Sequence, residues 1–363
     1  MLPPKEQRFM LFVLLYATVL VLVAATTPIS PSEAYLFFQE EMTPTMFLMH
    51  WGNALISNEL GLRLFFLLLG CVNACLFYTI TAFYFDKKKD RLLALFFYLM
   101  LPGVIVSTVL ANDAAVITFL VLLFLYLYLH EKPMASLLPL SLLGLVHWSA
   151  LYFYIVLMLY GLFQKRKAIF LSATAAILLF VAAGTTIPDP IPGNYFFETL
   201  GIGATIFSPL LFIYFFYALY RTLLRGERNL LWYISFGALM ISLGLSLQER
   251  IKITDFSAYL MPSIIIAIHT YLGSLRVHLK PFQQRYKLSF RLIALSLLLS
   301  SLSLVLHQPI YRLLGETYYP VVAPVYVPYD KAKKLKTNGE DCVKESRQKV
   351  LYQMRYYGLK KCF

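Results

Sequence analysis

The sequence predicts an all-α, polytopic membrane protein of roughly eleven transmembrane helices, with an outer-face amphipathic segment and a small C-terminal tail. Three observations carry that expectation. Of 363 residues, 59% are hydrophobic and 14% charged, whereas a soluble domain carries about a quarter charged residues. Apolar runs of near-spanning length recur along the chain. The short polar segments between them hold much of the basic charge, the pattern that sets orientation in a bilayer. A net charge of +13 would suggest nucleic acid in a soluble protein; here it belongs to membrane loops, and no nucleic-acid partner is expected. Residues 1–306 form the expected membrane domain, with an outer loop at 27–58 and a short helix hairpin at 134–163. Residues 307–363 form a basic tail, expected to be periplasmic.

The first apolar run, residues 9–26, is long for a signal-peptide core, and Thr26-Thr27-Pro28 is a poor cleavage site. It reads as a retained span. Lys5 and Arg8 precede it, which puts the N-terminus in the cytoplasm and residues 31–53 outside. There Glu33-Ala34-Tyr35, Gln39-Glu40-Glu41, a break at Pro44 and His50-Trp51 crowd together, as in a short helix lying at a membrane surface.

Residues 61–85 return to Asp86-Lys87-Lys88-Lys89-Asp90-Arg91, a strong inside marker. Residues 92–110 lead out to a tight Ala111-Asn112-Asp113 turn, and 114–129 lead back. Residues 134–163 have basic loops on both sides, so one crossing would break the charge rule. Gly144 and His147-Trp148 near the middle predict a hairpin of two short helices, tolerated where they pack on protein or line a cavity. The chain then crosses to 187–194, whose prolines mark it as non-helical. It returns through 206–219, goes out through 230–247, in through 259–275 and out through 292–306.

In the tail, Tyr318-Tyr319-Pro320 and Tyr326-Val327-Pro328-Tyr329 read as extended, and 341–361 as a helix with Cys342 and Cys362 at its ends. Such a helix would hold the cysteines ~30 Å apart. A disulfide, favoured on an oxidising side, therefore requires a break near Tyr357-Gly358. Cys71 and Cys75 lie four apart on one helical face and read as small packing residues.

Ionisable residues at a membrane are candidates for function. Glu33 and Asp113 stand at the outer ends of different helices. A carboxylate near hydrocarbon is raised toward working pH unless paired or hydrated, as a general base requires. Arg250 and Lys252 suit an anionic head group. Tyr35, Glu40, His50, Asn112, Glu249 and Tyr259 occupy the same segments and are candidate acceptor or sugar contacts. For each residue alone, the solvated end of a helix is the competing account. His50 and His147 read as packed or interfacial histidines. No Cys/His spacing resembles a zinc site, and no P-loop or dinucleotide fingerprint is visible. The energy for a reaction must then come from a membrane-borne donor or an ion gradient; a divalent cation is left open.

The order of these features resembles the GT-C superfamily of membrane glycosyltransferases, of the protein O-mannosyltransferase and aminoarabinose-transferase type. Pro31-Ser32-Glu33-Ala34-Tyr35 sits where that family carries an outer acidic pair followed by Ala-Tyr. Asn58-Glu59-Leu60-Gly61-Leu62-Arg63-Leu64 resembles its run into the second span, and Leu110-Ala111-Asn112-Asp113-Ala114 its second outer acid. Arg250 with Tyr259-Leu260-Met261-Pro262 looks like its basic outer loop before a late Tyr-Leu-x-Pro helix. The likeness covers about the first 280 residues in layout. One position departs: Ser32 stands where the family usually has the Asp taken as its catalytic base.

The resemblance implies an enzyme that moves a sugar from a polyprenyl-phosphate donor to a glycan, lipid or protein at the outer face; the short basic loops fit a bacterial inner membrane, with a eukaryotic endomembrane as the alternative. Glu33 or Asp113 would deprotonate or orient the acceptor hydroxyl, and Arg250 and Lys252 would neutralise the leaving lipid phosphate. The alternatives are a catalytically inactive lipid-binding or scaffold protein, a polysaccharide polymerase or ligase, and a transporter. Short outer loops argue against the polymerase, and the lack of internal symmetry against the transporter.

Overall fold

The structure is a computed structural model. It describes the chain apart from residues 1–3, 40–42, 186, 188, 253, 278, 319–321 and 363, and apart from the side chains of 4–12, 280, 282 and 316–318. Glu40, Glu41, Tyr319 and Pro320 thus lie outside the described residues.

Most of the described chain is helical. The order begins α1 (Pro4–Thr26), α2 (Pro31–Phe38), α3 (Pro44–Leu55), α4 (Glu59–Thr81), α5 (Lys88–Leu99), α6 (Pro102–Val109) and α7 (Asp113–Leu129). It continues with α8 (Pro133–Val146), α9 (Ala150–Phe163), α10 (Lys167–Ala182), α11 (Phe196–Phe207), α12 (Pro209–Arg225) and α13 (Leu230–Leu245). Then come α14 (Thr254–Leu260), a 3-10 turn, α15 (Ile264–Val277), α16 (Lys280–Val305), α17 (His307–Tyr318), α18 (Ala323–Thr337) and α19 (Gln348–Tyr356). The described sheet is two residues deep, β1 (Cys342–Val343) parallel to β2 (Lys360–Lys361). Proline opens α2, α3, α6, α8 and α12, a position where its missing N–H has no intrahelical partner to lose.

Three described helical stretches are long and apolar enough to cross a bilayer: α4, Thr254–Val277 and Gln283–Val305. Three pairs pass only together and are bent, Val13–Thr26 with α2 by 80°, α5 with α6 by 62°, and α11 with α12 by 102°. Five more apolar helices, α7 to α10 and α13, are shorter. Residues 92–110, expected as one straight crossing, bend at Leu101-Pro102, where proline removes an N–H and crowds the preceding turn. The run expected at 206–219 breaks at Ser208, whose φ of +80° precedes Pro209. The hairpin expected at 134–163 forms, with α8 and α9 separated at His147-Trp148-Ser149.

The chain divides into two compact units, residues 1–69 with 106–112 and 302–363, and residues 70–105 with 113–301. Residues 307–363 are therefore not a unit of their own. In the first unit α19 packs on α2. Its Tyr352 meets Tyr35 and Phe38 at centroid distances of 5.9 Å, and Tyr356 meets Phe37 at 6.1 Å. Glycine at 52 and 61 lets α3 and α4 approach: a Cβ on Gly61 would stand 1.8 Å from the Ile56 carbonyl oxygen.

Two expectations for the tail need correction. Residues 326–329 are helical within α18, not extended. Pro324 falls in that helix's first turn, and Pro328 forfeits only the bond its N–H would have made. Residues 341–361 are not one helix, since α19 starts only at Gln348. It stops at Tyr356, with Gly358 at φ +85° turning the chain back. The turn brings Cys342 and Cys362 together as a disulfide, Cα atoms 5.0 Å apart, over a small core that includes Val343, Val350, Met354 and Leu359.

In the second unit α7 packs on α8, α9 on α10 and α13, and α14 on α7 and α13. The proline-rich loop pairs with the segment after α13. Arg250 N–H donates to the Ile191 carbonyl (2.8 Å), Gly193 N–H to Gln248 (3.0 Å) and Tyr195 N–H to Ser246 (2.8 Å). That pairing fixes where Glu249, Arg250 and Lys252 begin.

Candidate functional site

The second unit gathers a polar cluster at the start of α14 and the break between α8 and α9. Ser149 backbone N–H donates to His147 Nδ1 (3.2 Å), so Nδ1 is the acceptor of a neutral ring and Nε2 carries the proton. Ser149 Oγ lies 2.9 Å from the same Nδ1, and Tyr259 Oη lies 3.1 Å from Ser149 Oγ. One orientation satisfies every contact: Tyr259 donates to Ser149, Ser149 to Nδ1, and Nε2–H faces Asp255. The Nε2–Oδ2 distance is 3.9 Å, and both side chains are largely but not fully buried. Asp255 is attracted by His147 and Lys252 and repelled by Asp113, which occupies the first turn of α7. Trp148, Tyr152 and Phe256 form an aromatic wall beside it, with centroids 5.6–6.0 Å apart.

Such an arrangement can hold a proton at a defined atom. The imidazole tautomer is locked from behind by Ser149 and Tyr259, while an Asp255 carboxylate oxygen stands 3.9 Å from Nε2. Asp113 and Lys252 lie close enough to this cluster for their charges to act on Asp255. Tyr259, a candidate acceptor or sugar contact, is 1% exposed, and its hydroxyl meets Ser149 instead of open space.

Arg250 is half exposed and paired with Glu198, Nη2 to Oε1 at 2.6 Å and Nε to Oε1 at 3.3 Å. Its guanidinium also lies 5.6 Å from the Tyr195 ring centroid. Glu198 thus occupies one edge of the Arg250 guanidinium, while Lys252 is exposed and interacts with Asp255. Glu249 is half-buried and bridges Pro192 through backbone.

Glu33 belongs to the first unit and is differently employed. Its carboxylate is 2% exposed and accepts four hydrogen bonds: from Ser30 N–H (2.8 Å), Ala111 N–H (2.8 Å), Arg63 Nε (2.8 Å) and Arg63 Nη2 (2.7 Å). A carboxylate with its acceptor sites filled by donors has no lone pair left for a substrate proton. The general-base role expected of Glu33 is thus not what this geometry supports.

The reason for the arrangement lies in α1. Ala24 would normally pass its carbonyl to the N–H of residue 28, which is proline and has none. Arg63 supplies the donor, Nη1 to Ala24 (2.8 Å) and Thr27 (2.7 Å), with Nη2 to Pro28 (2.9 Å). The tail takes the next residue: Ile29 N–H donates to Tyr357 Oη (3.0 Å) and its carbonyl accepts from Gln353 Nε2 (2.7 Å). Ser30 N–H goes to Glu33, and the Ser30 hydroxyl accepts from Glu33 N–H (3.1 Å), closing a capping box. The buried turn between α1 and α2 is so satisfied group by group.

Of the remaining expected contacts, Tyr35 packs against the tail through Tyr352, with Lys349 Nζ 5.5 Å from its ring centroid. His50 is exposed, stacks on Phe37 at 4.3 Å and lies 3.1 Å from its carbonyl. Asn112 Nδ2 donates to the Leu110 carbonyl at 2.9 Å. Among the described residues no group of three or more His, Cys, Asp or Glu is placed to hold a metal ion.

Sequence reasoning assigned no role to Arg63, Asp255 or Glu198 and read His147 as a packed or interfacial histidine. Arg63 had a legible signal, being an ionisable residue inside an apolar run. The 108 positions between His147 and Asp255 left no such trace.

No protein-family model and no curated protein matches the sequence. Among solved structures, the chain is similar to ArnT from Cupriavidus metallidurans in the apo state, with TM-score 0.64 and 13% identity over 97% of this chain and 85% of that one. It is also similar to ArnT bound to undecaprenyl phosphate, with TM-score 0.56 and 12% identity over the same shares. ArnT is an aminoarabinose transferase of the GT-C superfamily. The chain has that fold, the one its sequence layout resembled.

Proposed function

We propose, from the premise of an ArnT-like membrane fold, that this protein transfers a sugar from a polyprenyl-phosphate donor to an acceptor hydroxyl. The observation that carries the reading is the likeness along 97% of the chain to a protein whose structure holds undecaprenyl phosphate. The Asp255–His147 cluster supports it from within the chain. In the reaction, the acceptor oxygen forms a bond to the anomeric carbon as the bond from that carbon to the phosphate oxygen breaks. The electron pair leaves with the lipid phosphate, and the acceptor proton passes to a carboxylate. One displacement inverts the anomeric centre.

We assign the proton to Asp255, with His147 holding it in place and Asp113 repelling the charged form. Lys252 meets the developing phosphate charge, where a fixed cation lowers the barrier, and Arg250 joins once Glu198 is displaced. The acceptor is a glycan, lipid or protein. The setting we propose is a bacterial inner membrane with the N-terminus cytoplasmic and the cluster on the periplasmic side.

The test has two parts. Undecaprenyl phosphate should bind the purified protein, with weaker binding in Lys252→Ala and Arg250→Ala. In a transfer assay with a polyprenyl-phosphate sugar, Asp255→Asn and His147→Ala should each lose about 10²- to 10⁴-fold in turnover. Glu33→Gln should lower the folded yield while leaving turnover per folded molecule near wild type. No lipid binding by folded wild type would overturn the proposal.

A second reading, a catalytically silent lipid-binding protein of the same fold, is favoured by one observation: the acid at the family's outer motif is consumed by Arg63. It predicts lipid binding without turnover in wild type.

A further inference from the structure

α9 and α13 lie side by side in the second unit and leave a groove of about 590 Å³ between them. Its floor is where the helices touch: a Cβ on Gly237 would come 2.4 Å from Val156 Cγ2, so only glycine permits that approach. Leu159 and Phe163 line one wall, and Trp232, Phe236 and Met240 the other. The aromatic wall is rigid. Trp232 Nε1–H donates to the Leu219 carbonyl at 3.0 Å, and its ring stacks on Phe236 at 4.6 Å and 13°. Large apolar side chains remain open to the surroundings, Phe163 at 66% and Met240 at 42%.

One end of the groove is polar and strongly basic. Gln164 and Arg228 stand at its mouth, joined by Gln164 Nε2–H to the Arg228 carbonyl at 3.4 Å. The segments meeting there also carry Lys165, Arg166, Lys167 and Arg225, all exposed, against the single acid Glu227. Lys165 adopts φ +54° as α9 ends, a conformation glycine takes at lower cost. Lysine occupies that position although the backbone favours glycine.

The groove also has a length. From Trp232 near the basic end to Ile241 at the far end, ten helical residues span ~15 Å. That is close to one leaflet of a bilayer whose hydrocarbon core is ~30 Å thick.

We propose that this groove binds an anionic glycerophospholipid, with an acyl chain along the aromatic wall and the phosphate at Arg228, Lys165 and Arg166. Charge selects the head group: a zwitterionic lipid brings its own cation into a field that is already positive. Length selects the tail, since a polyprenyl chain of undecaprenyl size would outrun a groove one leaflet deep. The site is independent of the Asp255 cluster and of glycosyl transfer.

Native mass spectrometry of the full-length protein in detergent tests it, with dioleoyl phosphatidylglycerol, dioleoyl phosphatidylcholine and undecaprenyl phosphate as probes. Phosphatidylglycerol should be retained in preference to phosphatidylcholine. Arg228→Ala should weaken it about fivefold, the share expected of one cation at a lipid surface, and Arg228→Lys should restore most of it. Lys165→Gly should weaken it similarly while leaving thermal stability equal or higher, which separates lipid loss from misfolding. Met240→Trp, which fills the groove without touching charge, should also lower occupancy. Equal retention of phosphatidylcholine, or full retention of phosphatidylglycerol in Arg228→Ala and Lys165→Gly, overturns the proposal. So does displacement of phosphatidylglycerol by an equal concentration of undecaprenyl phosphate.

Discussion

Replacing Arg63 with methionine should unseat the turn between α1 and α2, and replacing its partner as well should not repair the damage. The Arg63 side chain is buried, with two bonds to Glu33 and three to the carbonyls of Ala24, Thr27 and Pro28. Removing one member of a buried pair costs about 3–5 kcal/mol, because the other is left as an uncompensated charge. An ordinary ion pair can be rescued by removing both charges, since an apolar pair of similar volume is often as stable or more so. The double variant Glu33→Met/Arg63→Met has a further problem. It strands the same three carbonyls together with the N–H groups of Ser30 and Ala111. At about 1–3 kcal/mol for each orphaned buried group, the loss is at least ~5 kcal/mol. Thermal unfolding of the two single variants and the double in one detergent is the assay. All three should be destabilised, the double no less than the singles. A double variant within ~1 kcal/mol of wild type would refute the reading of Arg63 as a backbone cap.

Further expectations concern the tail. The Cys342–Cys362 disulfide closes a loop with a sequence separation of 20, which on chain-entropy grounds stabilises the closed form by about 3 kcal/mol. Cys342→Ser should therefore raise tryptic cleavage at Arg355 and Lys360 by roughly two orders of magnitude; unchanged cleavage rates would contradict this. His307 is buried, and burial, with the Arg63 charge adding to it, holds its pKa below the ordinary 6.5 while the Leu304 carbonyl pulls the other way. The unfolded tail therefore binds the proton more readily, so stability is full above pH 6.5 and falls as the pH drops from there through the folded value. Thermal unfolding between pH 7.5 and 5 should show that slope in wild type and a flatter one in His307→Gln, and parallel curves would count against it.

Features written in local chemistry were legible in the sequence. The break at His147-Trp148, the turn at Ala111-Asn112-Asp113 and the reversal at Tyr357-Gly358 each follow from charge balance, polar punctuation or glycine. Features made by distant partners were not. Ser32-Glu33 looked like a degenerate catalytic motif because nothing nearby shows that Arg63, thirty positions on, would fill the carboxylate. The bend at Ser208 was hidden because the apolar pattern runs through it. The tail was misread for the opposite reason: Pro328 signals extended chain locally, whereas packing of Tyr326 and Ala332 holds the segment helical. Asp255 went unnoticed because its meaning depends on a histidine from another helix pair.

The five shorter apolar helices of the second unit carry a mechanical consequence. At 14 to 17 residues they are ~21–26 Å long, less than the ~30 Å of an average hydrocarbon core. A bilayer meets such a mismatch by thinning around the protein. Lipid phosphates beside these helices would then ride several ångströms deeper than in the surrounding membrane. By being too short, the helices would draw the membrane's own charged surface in toward the protein's interior.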